Sequence, residues 1–276
     1  MSEDAAAEGK DRDFVQSIER GFAVLLAFDA ELPNPSLAEV ATATGLSRPA
    51  VRRILLTLQR LGYVVATGSR WSLTPRVLTI GQHYAATHGF VEIAQPHLLR
   101  LAEATQESAS MAQLDGAEVV YVARVQVRRI LSIAVDVGSR VPAHATSMGR
   151  VLAAWAPAAV VDAIIAAGLP RLAERTITDA TALRDALHVV RRQGYAVVES
   201  ELEDGLLSAS VPVRDPQGEV LAALAYSTTI GRKTAKQVTE EVVPLMQEAA
   251  AAITEDLRML RATSPLLAPS PRDGFY

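Results

Sequence analysis

The 276-residue sequence predicts an α+β protein built from two unlike parts. A winged helix-turn-helix comes first, and a larger domain of helices on a mainly antiparallel sheet follows. Three observations predict this. Two capped helical stretches, separated by a tight glycine turn, run into a short alternating segment, "YVVATGSRWSLTP". Further alternating segments are parted by turn signals at Asp115-Gly116 and Pro216-Gln217-Gly218. The charge is also unevenly spread. No acidic residue lies between Glu39 and Glu92, whereas Arg48, Arg52, Arg53, Arg60, Arg70 and Arg76 all do.

Taken in order, "MSEDAAAEGKDRD" (1–13) is polar and acidic and reads as a disordered tail without the apolar stretch of a signal peptide. "SIERGFAVLLAF" (17–28) reads as a helix with Ile18, Phe22, Leu25 and Leu26 on one face. "ELPNP" breaks the chain. In "SLAEVATATG", Ser36 and Glu39 have the spacing of a capping box, each side chain satisfying the other's orphan amide. Gly45 suits the left-handed end of that helix. Ser47 can cap the next one, with Pro49 tolerated in its first turn. Val51, Ile54, Leu55, Leu58 and Leu61 then form an apolar stripe, and Pro49, Arg52, Arg53 and Arg60 take the other side. Leu56 also projects toward the polar side, with no assigned role. The hairpin turns at Gly68-Ser69. These boundaries give a DNA-binding domain at 14–75 and a linker helix at 76–89.

An effector-binding domain is expected over 90–262, followed by a flexible tail at 263–276. Its strands are "SASMAQL", "EVVYVARV", "RILSIAVDV", "YAVVES", "LLSASVPVRD" and "EVLAALAYST". Helices are expected at 147–155, 157–167, 180–193 and 234–261. The last carries a stripe of Val238, Val242, Leu245, Ala249, Ile253, Leu257 and Leu260, and Pro244 should kink or split it.

Composition narrows the function. With no cysteine, disulfides and thiolate metal sites are excluded. The most apolar run, "AAWAPAAVVDAIIAAGL", is interrupted by Pro157 and Asp162, so no membrane span is expected and the protein reads as soluble and cytoplasmic. The net charge of −4 hides an asymmetry: residues 1–89 hold nine basic and nine acidic residues, and the rest hold 18 and 22. For nucleic acid, the local basic patch outweighs the average.

A single helix with a basic face is ordinarily just a solvated one. Here the capped predecessor supplies the geometry that presents a second helix by its N-terminus. The arginines cluster near that end, where side chains reach base edges and free amides face phosphate. A wing bearing Arg70 follows. The candidate DNA contacts are therefore Ser47, Arg48, Pro49, Ala50, Arg52, Arg53 and Arg70. Arg48 and Arg52 are placed for base readout, and Ser47, Arg53 and Arg70 for phosphate. The partner would be double-stranded operator DNA.

"SIERGFAVLLAF", "SLAEVATATGLSRPAVRRILLTLQRLGYV", "AHATSMGRVLAA" and "GYAVVESELEDGLLSASVPVRDPQGEVLAAL" together resemble the IclR family of bacterial transcriptional regulators over nearly the whole chain. "RRILSIAVDVGSRVPAHATSMGRVLAA" further resembles the subgroup that controls protocatechuate and 4-hydroxybenzoate catabolism through β-ketoadipate. The resemblance implies a GAF-like effector domain, a homodimer or homotetramer on an operator palindrome, and a small organic acid as effector. It also implies effector contacts at Ser147, Met148, Ser208 and Ser227, with Ser210 beside Ser208 on the same strand. Ser208 stands where the glyoxylate-responsive relative has cysteine, and Ala225 where it has serine. Both departures point away from glyoxylate.

The residues themselves support an anion near "PAHATSMGR". The amides of Ser147, Met148 and Gly149 would open a helix there, and Gly149 would allow a ligand or a strand to come close. Met148 suits an aromatic body. His144 is either a ligand to a hydroxyl or carboxylate, or a satisfied loop histidine. Of Arg128 and Arg129 only one can face a cavity, and Arg128 is the candidate. The run Glu199, Glu201, Glu203, Asp204 reads as a metal site or as an exposed polar edge. His83 and His88 are badly spaced for zinc. No metal, cofactor or catalytic residue is expected. The rival reading is an enzyme with a DNA-targeting arm, but the sequence has no nucleophile elbow, phosphate loop or His-Glu-x-x-His motif.

Overall fold

The structure, a computed structural model, describes residues 14–29, 31–81, 89–127 and 135–263. The chain divides into two compact units, with the break between His88 and Gly89.

The first unit contains α1 (Gln16–Leu26), α2 (Leu37–Thr44), α3 (Arg48–Arg60) and the hairpin β1 (Val64–Thr67) and β2 (Arg70–Leu73). The capping box of α2 forms on both sides, Glu39 accepting from the Ser36 amide at 2.6 Å. Gly45 ends α2 at φ +66°, and Ser47 starts α3 without a side-chain cap bond. Val24, Val40, Val51, Leu55, Leu58 and Val64 form the core.

Two expectations fail in this unit. Helix α1 buries Val24, not the stripe of Ile18, Phe22 and Leu26, which stay more than half exposed while Leu25 is partly covered. Periodicity gave the helix but not which edge the neighbouring helices cover, because several apolar residues compete around its circumference. Leu61 is also exposed, because α3 ends at Arg60 and Leu61 is its C-cap. A 3-10 turn at Pro75–Val77 leads into helical residues 78–81, and the rest of the expected linker helix lies outside the described residues.

The second unit has α4 (Phe90–Thr105), β3 (Ser108–Asp115), β4 (Glu118–Val125), β5 (Arg140–Pro142), α5 (Ser147–Trp155), α6 (Ala158–Ala166), α7 (Ala180–Gln193), β6 (Ala196–Glu199), β7 (Leu206–Arg214), β8 (Val220–Thr229), the short α8 (Ala235–Gln237) and α9 (Val243–Thr263). Its six strands run in the order β5-β4-β3-β8-β7-β6, each pair antiparallel. One face carries Met111, Ala123, Leu207, Leu224 and Tyr226 against α4 and α9. The other carries Ala112, Tyr121, Ala223 and Ala225 against α5 and its neighbours. Alternation along each strand therefore serves two apolar layers instead of one layer and solvent.

Three details correct the sequence reading here. The β3–β4 turn is Gly116-Ala117, since Asp115 pairs with Glu118. The expected strand "RILSIAVDV" lies mostly outside the described residues, and its described end, 135–137, is not strand; β5 begins only at Arg140. In the last helix, a π-helical turn at Val238–Val242 precedes Pro244. That turn absorbs an extra residue and shifts the stripe by one, so Met246 and Ala250 are buried in place of Leu245 and Ala249.

Candidate nucleic-acid interface and effector cavity

In the first unit, Val51, Leu55 and Leu58 anchor α3 in the core while Arg48, Pro49, Arg52, Arg53 and Arg60 stay exposed. Ala50 is half-buried. Because Ser47 makes no side-chain cap bond, its hydroxyl and the first amides of α3 share an exposed end. Arg52 and Arg53 diverge. Arg53 lies on the flank toward α1, where Ile18, Phe22, Ile54 and Thr57 line the same groove. Leu56 is exposed.

Arg70 follows the wing turn and is engaged within the unit. Its Nη1 donates to the Asn34 carbonyl at 2.8 Å and to Glu39 Oε2 at 3.4 Å. It thus ties the wing to the start of α2, and any contact with phosphate would share that guanidinium.

In the second unit, the chain leaves β5, makes a 3-10 turn at Ala143–Ala145 and enters α5 at Ser147. Thr146 caps α5 by accepting from the Gly149 amide at 3.1 Å. Of the three amides expected to meet an anion, that of Gly149 is therefore committed, which corrects the sequence reading. Gly149 has a different reason to be glycine. A Cβ there would lie 2.0 Å from the Ala143 carbonyl oxygen, so backbone and not ligand makes the close approach.

Ser147, Met148, Ser208 and Ser227 line one cavity together with Tyr121, Ala145, Thr146, Val198, Glu201, Leu202, Leu206 and Ala225. The register explains the convergence: Ser227 pairs with Ser208, which pairs with Val198, so all three point to the α5 face. Ser210, one step further along β7, meets the Ser147 hydroxyl at 2.8 Å and roofs the sheet with α5. The free space is about 20 Å³, room for a water molecule. A larger body enters only as flexible wall side chains such as Met148 and Leu202 swing aside.

His144 is buried but turned away from this cavity. Its Nε2 donates to the Pro170 carbonyl at 3.1 Å, the arrangement of a satisfied loop histidine. Arg128 lies outside the described residues.

The acidic run is neither a metal site nor an exposed edge. Strand β6 stops at Glu199, and Ser200 takes a left-handed φ of +52°, which breaks the alternation. Glu201 is thereby buried and accepts from the Arg150 guanidinium of α5, while Glu199 goes to Arg175 and Asp204 accepts from the Glu174 amide. Burial pulls the Arg150 guanidinium below its ordinary value, and Glu201 opposes that. Among the described residues, no three His, Asp or Glu side chains converge on a metal position. The spacing of the run hid this pair, because only the backbone reversal at Ser200 turns Glu201 inward.

The comparisons decide the family. Residues 17–68 match the IclR helix-turn-helix domain and residues 82–255 match the bacterial transcriptional regulator IclR C-terminal domain. The chain belongs to the IclR family. The Pca regulon regulatory protein of Pseudomonas putida is 40% identical over 238 residues, 86% of this chain and 82% of that protein. The p-hydroxybenzoate hydroxylase transcriptional activator of Acinetobacter baylyi is 34% identical over 252 residues, 89% and 93% of the two chains. Among solved structures, an IclR homolog from Microbacterium hydrocarbonoxydans, complexed with 4-hydroxybenzoate, superposes with a TM-score of 0.79 at 25% identity, covering 88% of this chain and 99% of that one. This IclR-family protein is accordingly an effector-modulated, DNA-binding transcriptional regulator. Among its described residues no helix is long and apolar enough to cross a membrane.

Proposed function

We propose that this regulator controls aromatic-acid catabolism and that its effector, a hydroxyaromatic acid, occupies the cavity at the start of α5. The single observation that carries the reading is the meeting of Ser147, Met148, Ser208 and Ser227 in one cavity, beside the uncommitted first amides of a helix. Hydroxyls and amides there suit a carboxylate, and Tyr121, Met148 and Leu206 suit a ring. The regulatory roles named for the Pseudomonas and Acinetobacter relatives, and the 4-hydroxybenzoate bound by the Microbacterium homolog, support the same class of ligand.

On the DNA side, Arg48 and Arg52 read base edges in the major groove, with Pro49 and Ala50 beside them. Ser47, Arg53 and Arg70 contact phosphate. Residues 14–75 form the DNA-binding domain, 76–89 the linker and 90–262 the effector domain. The chain works in the cytoplasm as a homodimer or homotetramer, so its operator is a two-fold repeat. It acts by binding and not by catalysis.

Calorimetry of the full chain with 4-hydroxybenzoate and protocatechuate tests the ligand class. Heat of binding without turnover is expected. Absence of heat with both acids overturns the ligand assignment, and turnover of either overturns the non-enzymatic one.

A further inference from the structure

The cavity carries two charged neighbours that the sequence reading did not weigh, and they approach it from opposite flanks of the sheet. Arg124 stands on β4 opposite Ser110 of β3, which in turn pairs with the cavity residue Ala225 of β8. Side chains in such a row share a face, with neighbouring strands about 4.8 Å apart. The guanidinium leans along that row toward the cavity. Its Nη1 donates to Ser110 Oγ at 3.1 Å, and its Cζ lies 6.0 Å from the ring of the cavity residue Tyr121. Its Nε is buried and has no hydrogen-bond partner, and among the described residues no carboxylate pairs with Arg124. A buried guanidinium nitrogen left without an acceptor is costly unless something completes it.

Glu201 lies at the other side, in the turn after β6, and is itself a cavity wall. Arg150 holds one carboxylate oxygen, and the Ile177 amide also donates to it at 3.4 Å. Two donors favour the ionised form, which can only accept hydrogen bonds.

We infer that the cavity is polarised, with Arg124 taking the effector's carboxylate and Glu201 accepting from a hydroxyl at the ligand's far end. This rests on the reading that a hydroxyaromatic acid binds here, and it narrows that class. A hydroxyl meeting an ionised carboxylate forms a strong, charge-assisted bond. A second carboxylate in its place would face Glu201 across a low-dielectric gap, where like charges repel. The regulator should therefore require the hydroxyl and refuse dicarboxylic acids. Arg124 takes over the role that the sequence gave to Arg128.

The test is a ligand series measured by calorimetry on the unaltered full chain. The series comprises 4-hydroxybenzoate, benzoate, 4-hydroxybenzyl alcohol and terephthalate, in which a carboxylate replaces the hydroxyl. 4-Hydroxybenzoate should bind at least about tenfold tighter than benzoate or the alcohol, as expected when one buried polar partner is left unmatched. Terephthalate should give no heat. In Arg124→Met the advantage of the acid over the alcohol should vanish. In Glu201→Gln the advantage over benzoate should shrink and terephthalate should begin to bind. If Glu201→Gln fails to fold, the ligand series and Arg124→Met still decide. Binding of 4-hydroxybenzoate with benzoate or terephthalate equally tight overturns this inference alone. So does an Arg124→Met protein that keeps the full preference for the acid. A chain that binds none of the four overturns the inference and the reading beneath it together.

Discussion

The hydroxyls of Ser147 and Ser210 meet at 2.8 Å, joining the first residue of α5 to the middle of β7 in a fully buried contact. Either single alanine substitution leaves the partner hydroxyl buried without a match, at a cost of about 1–3 kcal/mol. Removing both should cost less than the two single losses added. Urea unfolding of the two single variants and the double variant checks this, and additive losses would show that the contact carries no coupling.

Gly149→Ala should damage the effector domain more than any exposed glycine-to-alanine change. The new methyl has only the Ala143 backbone to displace, which cannot yield as a side chain would. Overpacking of this kind costs about 1–3 kcal/mol, and a contact of 2.0 Å belongs at the upper end. Because the displaced segment leads into Ala145 and Thr146, ligand binding should weaken too. Thermal unfolding and calorimetry on the same variant read both effects, and wild-type values in both would refute the packing argument.

Arg52→Ala should cost about 1–3 kcal/mol of operator affinity and relax base preference at one position of each half-site. Arg60→Ala, at the far end of the same helix, should do neither. Competition gel shifts with a panel of operator variants separate the two. Equal effects from both substitutions would mean that α3 contributes only general positive charge.

The Ser36 amide, its hydroxyl and then Arg70 all favour the charged form of Glu39, so its folded pKa lies below the ordinary value of 4.5. A depressed carboxyl stabilises the fold above its unfolded pKa, and that contribution is lost as the pH falls through the folded one. Wild type should therefore exceed Glu39→Gln in stability at neutral pH, and the gap should close on acidification below about 4.5. Unfolding curves of both proteins across that range provide the check. A gap that persisted in acid would assign the effect to helix capping geometry and not to charge.

Much of this molecule was legible in its residues. Capping signals are local, so Ser36, Glu39, Gly45 and Asp179 marked helix ends that the structure reproduces. Ser147 and Trp155 likewise bound a helix where expected. What stayed hidden depended on partners far along the chain. The buried edge of α1 is chosen by α2 and α3, so Val24 rather than Phe22 entered the core. Glu201 looked solvated because its partner, Arg150, lies 51 residues away. Arg124 carries no local signal at all, since only strand register brings it beside Ser110 and Tyr121.

The π-helical turn before Pro244 has a consequence for the drift of this sequence. Downstream of it, the tolerant and intolerant positions of α9 are offset by one from what the residues suggest. A saturation library should therefore recover charged residues at Leu245 and lose them at Met246 and Ala250. Deleting a single residue within 238–242 would restore the regular winding, rotate the rest of the helix by roughly 100° and turn the wrong side toward the sheet. A chain carrying that deletion would need compensating changes along the whole of its last helix to survive selection.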